Sequence, residues 1–298
     1  MIDQTFTREV KDFARTKLGV DLVGVAGVDR FAGAPAGHQP DELLPGAKSV
    51  IVMAGRMLDS TFLSSNPRVY VLRYSQLRLH YQDIGYEMCR FLEDRDQLAI
   101  NFPSTAPQDS GPVGKLLFAD FSHRHAAELA GLGQIGRNHL LITPQFGPRV
   151  WLMSVITTAE LESDPMLTQD LCPGEECNIC VDTCPEKAFS PEGHSKDKCL
   201  QGYGRFGLLG ILRLLRDALE ETDPQKRAEM IFGPKAWTLW MVLQYQGGPS
   251  MCNACIASCP VGWKALAKPR ISLSAETPTV PLDEFDPEKL GDLMNYMA

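Results

Sequence analysis

Apolar residues recur at helical spacing from the start of the chain. Phe6, Val10, Phe13, Ala14 and Leu18 fall along one face, and Gly19 follows where a C-cap is expected. The pattern then shifts to short apolar runs. Residues 20–26 and 49–54 read as strands, the second a buried one, joined by a loop over 29–47 rich in Gly, Ala and Pro. Helical period returns over 71–92, with Leu77, Tyr81, Ile84, Met88 and Phe91 along one stripe and Cys89 in the same helix as a small hydrophobe. Ser122 is positioned to N-cap a helix over 123–130, and residues 140–143 and 150–158 are strand-like. An acidic linker over 160–170 leads into a second region of different character. There a helical stripe runs through Leu208, Ile211, Leu212, Leu215 and Leu219 and breaks at Asp223-Pro224. A further helix is predicted from 234 or 235 to about 245, carrying Trp237, Trp240 and Tyr245, before Gly247-Gly248-Pro249 turns the chain. From Lys268 the chain is Pro-rich and acidic, an arm with weak helix potential.

Length adds a prior of about two domains for 298 residues. The net charge of −8 argues against nucleic acid as the main partner, because phosphate binding needs a basic face. Residues 1–10 show neither a secretory signal nor a twin-Arg pair, and no stretch approaches the ~18 apolar residues of a membrane span. With nine cysteines and no export signal, the chain reads as cytoplasmic, its thiols kept for metal rather than for disulfides.

Those cysteines change the picture most. Cys172, Cys177, Cys180 and Cys184-Pro185 form one run, Cys252, Cys255 and Cys259-Pro260 a second, and Cys199 stands between. Two C-x-x-C-x-x-x-C-P units are the pattern of two [4Fe–4S] clusters held as in bacterial ferredoxins, where the Cys before Pro ligates the other cluster. The count then closes. Cys172, Cys177, Cys180 and Cys259 serve one cluster; Cys252, Cys255, Cys184 and Cys199 serve the other. Zinc sites lack the C-P ending. One irregularity is the gap between Cys172 and Cys177, four residues where the common run has two; an external ligand or Cys89 is the alternative to Cys172.

Gly131, Gly133 and Gly136 spell G-x-G-x-x-G, but a helix precedes them and a strand follows, the reverse of a dinucleotide site. Glycines at this density form a tight turn or let backbone lie against a flat ligand.

The string Ala130-Gly-Leu-Gly-Gln-Ile-Gly-Arg-Asn138, followed by Leu-Leu-Ile-Thr-Pro144 and the cysteine runs, resembles the epoxyqueuosine reductase and reductive dehalogenase superfamily. Leu44–Val52, Arg73-Tyr74 and Ala126–Ala130 agree with it, in order, over about residues 5–268. The resemblance implies an α+β fold: a nitroreductase-like, cobalamin-binding domain over 1–165, a ferredoxin-like double-cluster domain over 166–268 with a helical insertion at 200–250, and a C-terminal arm over 269–298. It implies electrons passing from two [4Fe–4S] clusters to cobalamin, with Arg73, Gly131, Gly133, Gly136, Arg137 and Asn138 against the corrinoid. A low-potential donor of ferredoxin or flavodoxin type would feed the clusters, and the substrate would be a small molecule or modified nucleoside. A homodimer is one candidate assembly.

The chain departs from both well-known branches at the proton donor. The Asp of the queuosine enzymes aligns without gaps on Leu117; Asp120 is the nearest acid, and the associated Pro is missing. The C-terminal helical repeats of some queuosine enzymes and the twin-Arg signal of respiratory dehalogenases are also missing. Asp120, His123 and Tyr74 are therefore the candidate acids, with capping or packing as the alternative role for His123 and Tyr74. His123 is also a weaker candidate for a cobalt ligand. The rival function is a two-cluster electron-transfer protein serving a partner oxidoreductase without a corrinoid.

Overall fold

The computed structural model describes residues 4–64, 67–103, 119–190, 193–203, 208–237, 239 and 252–263. Helix α1 (Gln4–Thr16) is followed by Gly19 at φ +69°, a backbone state that favours glycine, and the Val20 N–H returns to the Ala14 carbonyl at 3.2 Å. The chain then forms β1 (Leu22–Gly27), β2 (Ser49–Arg56) and the long helix α2 (Pro67–Glu93). After β3 (Ala99–Asn101) come α3 (His123–Leu129), the short strands β4 (Gln134–Ile135) and β5 (Leu141–Ile142), and β6 (Val150–Thr157). Strands β4 and β5 form a separate two-stranded sheet. Strand β3, three residues long, is too short to show a period in the sequence.

The four longer-range strands form an antiparallel sheet in the order β1-β2-β6-β3, with Val25 opposite Ile51 and Met53 opposite Met153. Because side chains alternate across a strand, each strand is divided between two cores. Val23, Val25, Ile51, Met53, Met153 and Val155 join Val10 and Ala14 of α1 and Ile84, Met88 and Leu92 of α2. Ala26, Val50, Val52 and Ile156 join Ala126 and Ala127 of α3 on the other face. Both faces are covered, which is why β2 and β6 read as continuous apolar runs. Each large side chain so buried is worth about 1.5–3 kcal/mol. Helix α3 lies close against the sheet: a Cβ on Gly24 would stand 2.4 Å from the Ala130 carbonyl oxygen.

Two expectations change. Ser122 is the residue before α3 but makes no capping bond; its hydroxyl pairs with His125 Nδ1 at 2.6 Å. In α6 (Leu208–Glu220), defined below, the buried residues include Leu214 and Ala218, while Leu212, Leu215 and Leu219 are exposed. Apolar residues occupy two sides of that helix, so the period identifies the helix without fixing which side turns inward. Trp240, Tyr245, the Gly247–Pro249 turn and the arm from 268 lie outside the described residues.

The second region is built of short elements: α4 (Ile179–Asp182), a hairpin of β7 (Phe189–Ser190) and β8 (Gly193–His194), α5 (Lys196–Tyr203), α6, α7 (Pro224–Phe232) and α8 (Ala254–Ala257). Asp223 caps the start of α7, its carboxylate accepting the Gln225 N–H at 2.9 Å with Pro224 in the first turn. Among the described residues no helix is long and apolar enough to cross a membrane.

The contact between Gly24 and Ala130 predicts that Gly24→Val lowers stability by about 1–3 kcal/mol through overpacking. Urea unfolding followed by circular dichroism measures it; an unchanged midpoint would show that α3 shifts freely on the sheet.

Candidate metal centre

Helices α4 and α8 each carry the centre of one cysteine run. The residues just before the two C-P cysteines, Thr183 and Ser258, occupy equivalent positions, and their hydroxyls are hydrogen-bonded at 3.0 Å. The runs therefore lie side by side. Asn178, at φ +33°, and Asn253 precede the two helices at matching positions. Pro185 and Pro260 follow the last cysteines, where a further helical turn cannot form.

This pairing sorts eight thiols. Cys180 interacts electrostatically with Cys172, Cys259 and Cys177, and together these four make a first quartet. Cys255 feels the charges of Cys252, Cys199, Cys180 and Cys184, and Cys199 those of Cys252 and Cys184, which makes Cys184, Cys199, Cys252 and Cys255 the candidate second set. Each quartet draws on both runs. Cys255 also feels Cys180, so the quartets are neighbours. Burial and mutual repulsion of thiolates raise the thiols of Cys180, Cys199 and Cys255 above their ordinary range. Cys259 is raised by burial as well, with Arg149 and the Val261 N–H pulling the other way. All nine cysteines are free thiols.

The first quartet borders a space also lined by Arg137 and Asn138. The four-residue gap after Cys172 is taken up by a turn, Gly174–Glu176, with Gly174 at φ +63° and the Cys177 N–H bonded to the Gly174 carbonyl. Cys172 thereby reaches the same space as Cys177, Cys180 and Cys259. Cys89 does not. It sits in the core beside Asn101, its thiol pushed up to about 12 by burial and then by Glu93. Among the described residues no three His, Cys, Asp or Glu converge tightly enough for a single metal ion. The donor set, soft thiols drawn from both runs, fits iron–sulfur clusters.

The glycine loop adjoins the first quartet. The Arg137 N–H points at Cys172 Sγ at 3.4 Å, and Arg137 Nη1 lies 3.6 Å from the exposed carboxylate of Glu175. Asn138 is buried; its Nδ2 donates to the Cys255 carbonyl at 3.3 Å and its Oδ1 accepts the Leu140 N–H. The glycines themselves are required by the fold. A Cβ on Gly131 would strike the Pro165 carbonyl, on Gly133 the Ile142 carbonyl, and on Gly136 the Ile142 side chain, each at 2.2 Å. They carry no independent argument for a flat ligand. Arg73 and Arg137, in contrast, each have a buried Nε with no hydrogen-bond partner among the described residues.

The candidate acids separate. Tyr74 is buried in the sheet core, edge-on to Trp151 at 4.7 Å. His123 has both ring nitrogens engaged, with Ser154 Oγ and the Pro103 carbonyl, each at 3.0 Å. As placed it offers no nitrogen to a metal. Burial lowers its pKa, and the Pro103 carbonyl opposes this only in part. Asp120 is half-buried, and its carbonyl accepts a bond from Nδ1 of the buried His38 at 2.9 Å. The sequence reading did not single out His38, and a lone histidine in a Gly/Pro loop gives no pattern to find it by. Leu117, where the queuosine aspartate aligns, lies outside the described residues.

No family model matches the chain. It is 27% identical over 276 residues to the epoxyqueuosine reductase of Gloeobacter violaceus, covering 91% of this chain and 74% of that one. It is 26% identical over 218 residues to the Bacillus subtilis enzyme, covering 64% and 54%. A tetrachloroethene reductive dehalogenase of Desulfitobacterium hafniense is 29% identical over 171 residues, 56% of this chain and 26% of the relative. Against solved structures, the fold is similar to that of the B. subtilis epoxyqueuosine reductase with its catalytic loop swung out of the active site. That match has a TM-score of 0.54 at 19% identity over 87% of this chain and 65% of the other. An epoxyqueuosine reductase with a modified tRNA stem loop gives 0.52 at 20% identity, with the same coverage.

The lowered pKa of His123 predicts an acid-sensitive fold. Its contribution to stability is complete above the unfolded value near 6.5 and is lost as pH falls through the lower folded value. The slope this single group adds cannot exceed about 1.4 kcal/mol per pH unit. His125, His139 and His194 are lowered too. His123→Asn should therefore reduce the pH dependence of the urea midpoint between pH 5 and 6.5 without removing it. An identical slope in the variant would rule out a buried neutral His123.

Proposed function

Because the chain belongs to the superfamily of epoxyqueuosine reductases and reductive dehalogenases, we propose that it is an iron–sulfur, cobalamin-dependent reductase. The observation that carries this reading is the sorting of eight thiols into two adjacent quartets, each fed by both runs and seated on the glycine loop through Arg137 and Asn138. Cys172, Cys177, Cys180 and Cys259 would hold one [4Fe–4S] cluster, and Cys184, Cys199, Cys252 and Cys255 the other. Residues 1–165 form the nitroreductase-like part that takes the corrinoid and substrate, and residues 166–268 the ferredoxin-like part. When bound, cobalamin supplies a strongly reducing cobalt centre charged one electron at a time.

The chain's own residues do the rest. Arg73 and Arg137 present buried, unpartnered Nε donors suited to the polar side chains of a corrin. His123 holds the Pro103 carbonyl to β6. With His123 engaged and Tyr74 packed in the core, Asp120 is the proton donor of this reading, its backbone set by His38. The substrate is a small molecule or modified nucleoside with a C–O or C–halogen bond to cleave, and the electron donor a cytoplasmic ferredoxin or flavodoxin.

Anaerobic reconstitution with iron, sulfide and cobalamin should give about eight irons per chain and about one corrinoid with a base-off spectrum. Uptake of iron without corrinoid would replace this reading with that of a two-cluster electron carrier. Cys172→Ser and Cys199→Ser should each lower iron content by about half, and Cys89→Ala should leave it unchanged. Full iron in the Cys172 variant would remove that residue from the ligand set.

A further inference from the structure

Arg149, at the start of β6, is only 1% exposed, yet among the described residues no carboxylate forms an ion pair with it. A buried charge without compensation costs several kcal/mol. Its guanidinium is instead turned onto the end of the second cysteine run. Nη1 donates to the carbonyls of Cys259 at 3.1 Å and Ile256 at 3.4 Å, and Nη2 donates to the Val261 carbonyl. One face of the group stacks on Trp263 at 4.1 Å, whose indole N–H also donates to the Cys259 carbonyl at 2.9 Å. Backbone wraps the same contact. Gly147 and Gly262 both have positive φ, and a Cβ on Gly262 would lie 2.1 Å from the Gly147 nitrogen. The anionic groups that favour the charged guanidinium against burial are the Cys259 thiolate first and Asp59 second.

We propose that Arg149 is a positioning residue of the first quartet, fixing Cys259 and setting the reduction potential of the cluster held there by a buried positive charge. The inference rests on the iron–sulfur reading above. Four thiolates leave such a cluster with net negative charge, and its one-electron reduction adds another. A fixed cation next to one ligand favours the reduced form and raises the potential. Only a planar fork can reach three carbonyls while lying flat on an indole, so Lys keeps the charge and loses the geometry.

The test uses the full-length chain, reconstituted anaerobically and titrated with dithionite while the cluster signals are followed by electron paramagnetic resonance. Wild type should take up about eight irons; a wild-type chain without iron overturns the cluster reading itself, before any variant is made. R149M should either lose about half the iron or keep it with one of the two midpoint potentials lowered and the other unmoved. R149K should keep both potentials near wild type while losing about half its iron to a chelator several-fold faster. R149M with full iron and two unchanged potentials overturns the proposal, as does an equal shift of both. Should R149M fail to fold, R149K decides: chelator loss at the wild-type rate overturns the positioning role.

Discussion

Eight thiols brought together by two neighbouring cysteine runs cannot all ionise without a counter-charge, and the rest of the molecule is arranged around that constraint. The thiols of Cys180, Cys199 and Cys255 are raised by burial and by each other's charge, so the polypeptide alone resists the state that ligates metal. In the proposed reading iron would supply the missing positive charge, and its binding energy would become folding energy for residues that build little core of their own. Helices α4 and α8 span one turn each, and hold each other through Thr183 and Ser258. Such elements persist only when something besides helix propensity fixes them.

The sheet provides that fixing through a single stretch of chain. Between α3 and β6, the Arg137 N–H meets Cys172, Asn138 meets the Cys255 carbonyl and Arg149 meets the Cys259 carbonyl. Three attachments from thirteen consecutive residues make this loop the seam between the apolar sheet and the thiol quartets. Its glycines follow from the closeness of the packing. Gly131 lies under the Pro165 carbonyl, Gly133 under Ile142 and Gly147 under the Val261 carbonyl, and any side chain there would push the seam apart.

The sequence showed most of the sheet, because β2 and β6 are buried on both faces and α1 and α2 carry long single stripes. The cysteine runs stood out in the sequence for a different reason: ligands can be counted, and a C-P ending marks where each run stops. The face of α6 was not, because leucines flank it on two sides and tertiary packing chose between them. The pairing of Ser122 with His125 was hidden because a hydroxyl can equally cap backbone. Arg149 was invisible as more than a structural residue, since nothing local in Gly-Pro-Arg-Val indicates three carbonyls more than a hundred residues away.

The same contrast separates the two ends of the reaction path. A cluster accepts only a narrow donor set, so its ligands stand out in a chain that differs from its relatives at most positions. A proton can be delivered by any suitably placed acid, and Asp120 is the one proposed above. What the chain holds in place is the backbone at Pro103 and at Asp120. His123, bonded at both ring nitrogens, clamps Pro103 to Ser154 on one side, and His38 holds the Asp120 carbonyl on the other. Both histidines act on backbone or on the sheet, not on a reacting atom. The fold therefore fixes the backbone at Pro103 and at Asp120 through their carbonyls, while the cysteine region is constrained by the chemistry of its thiols.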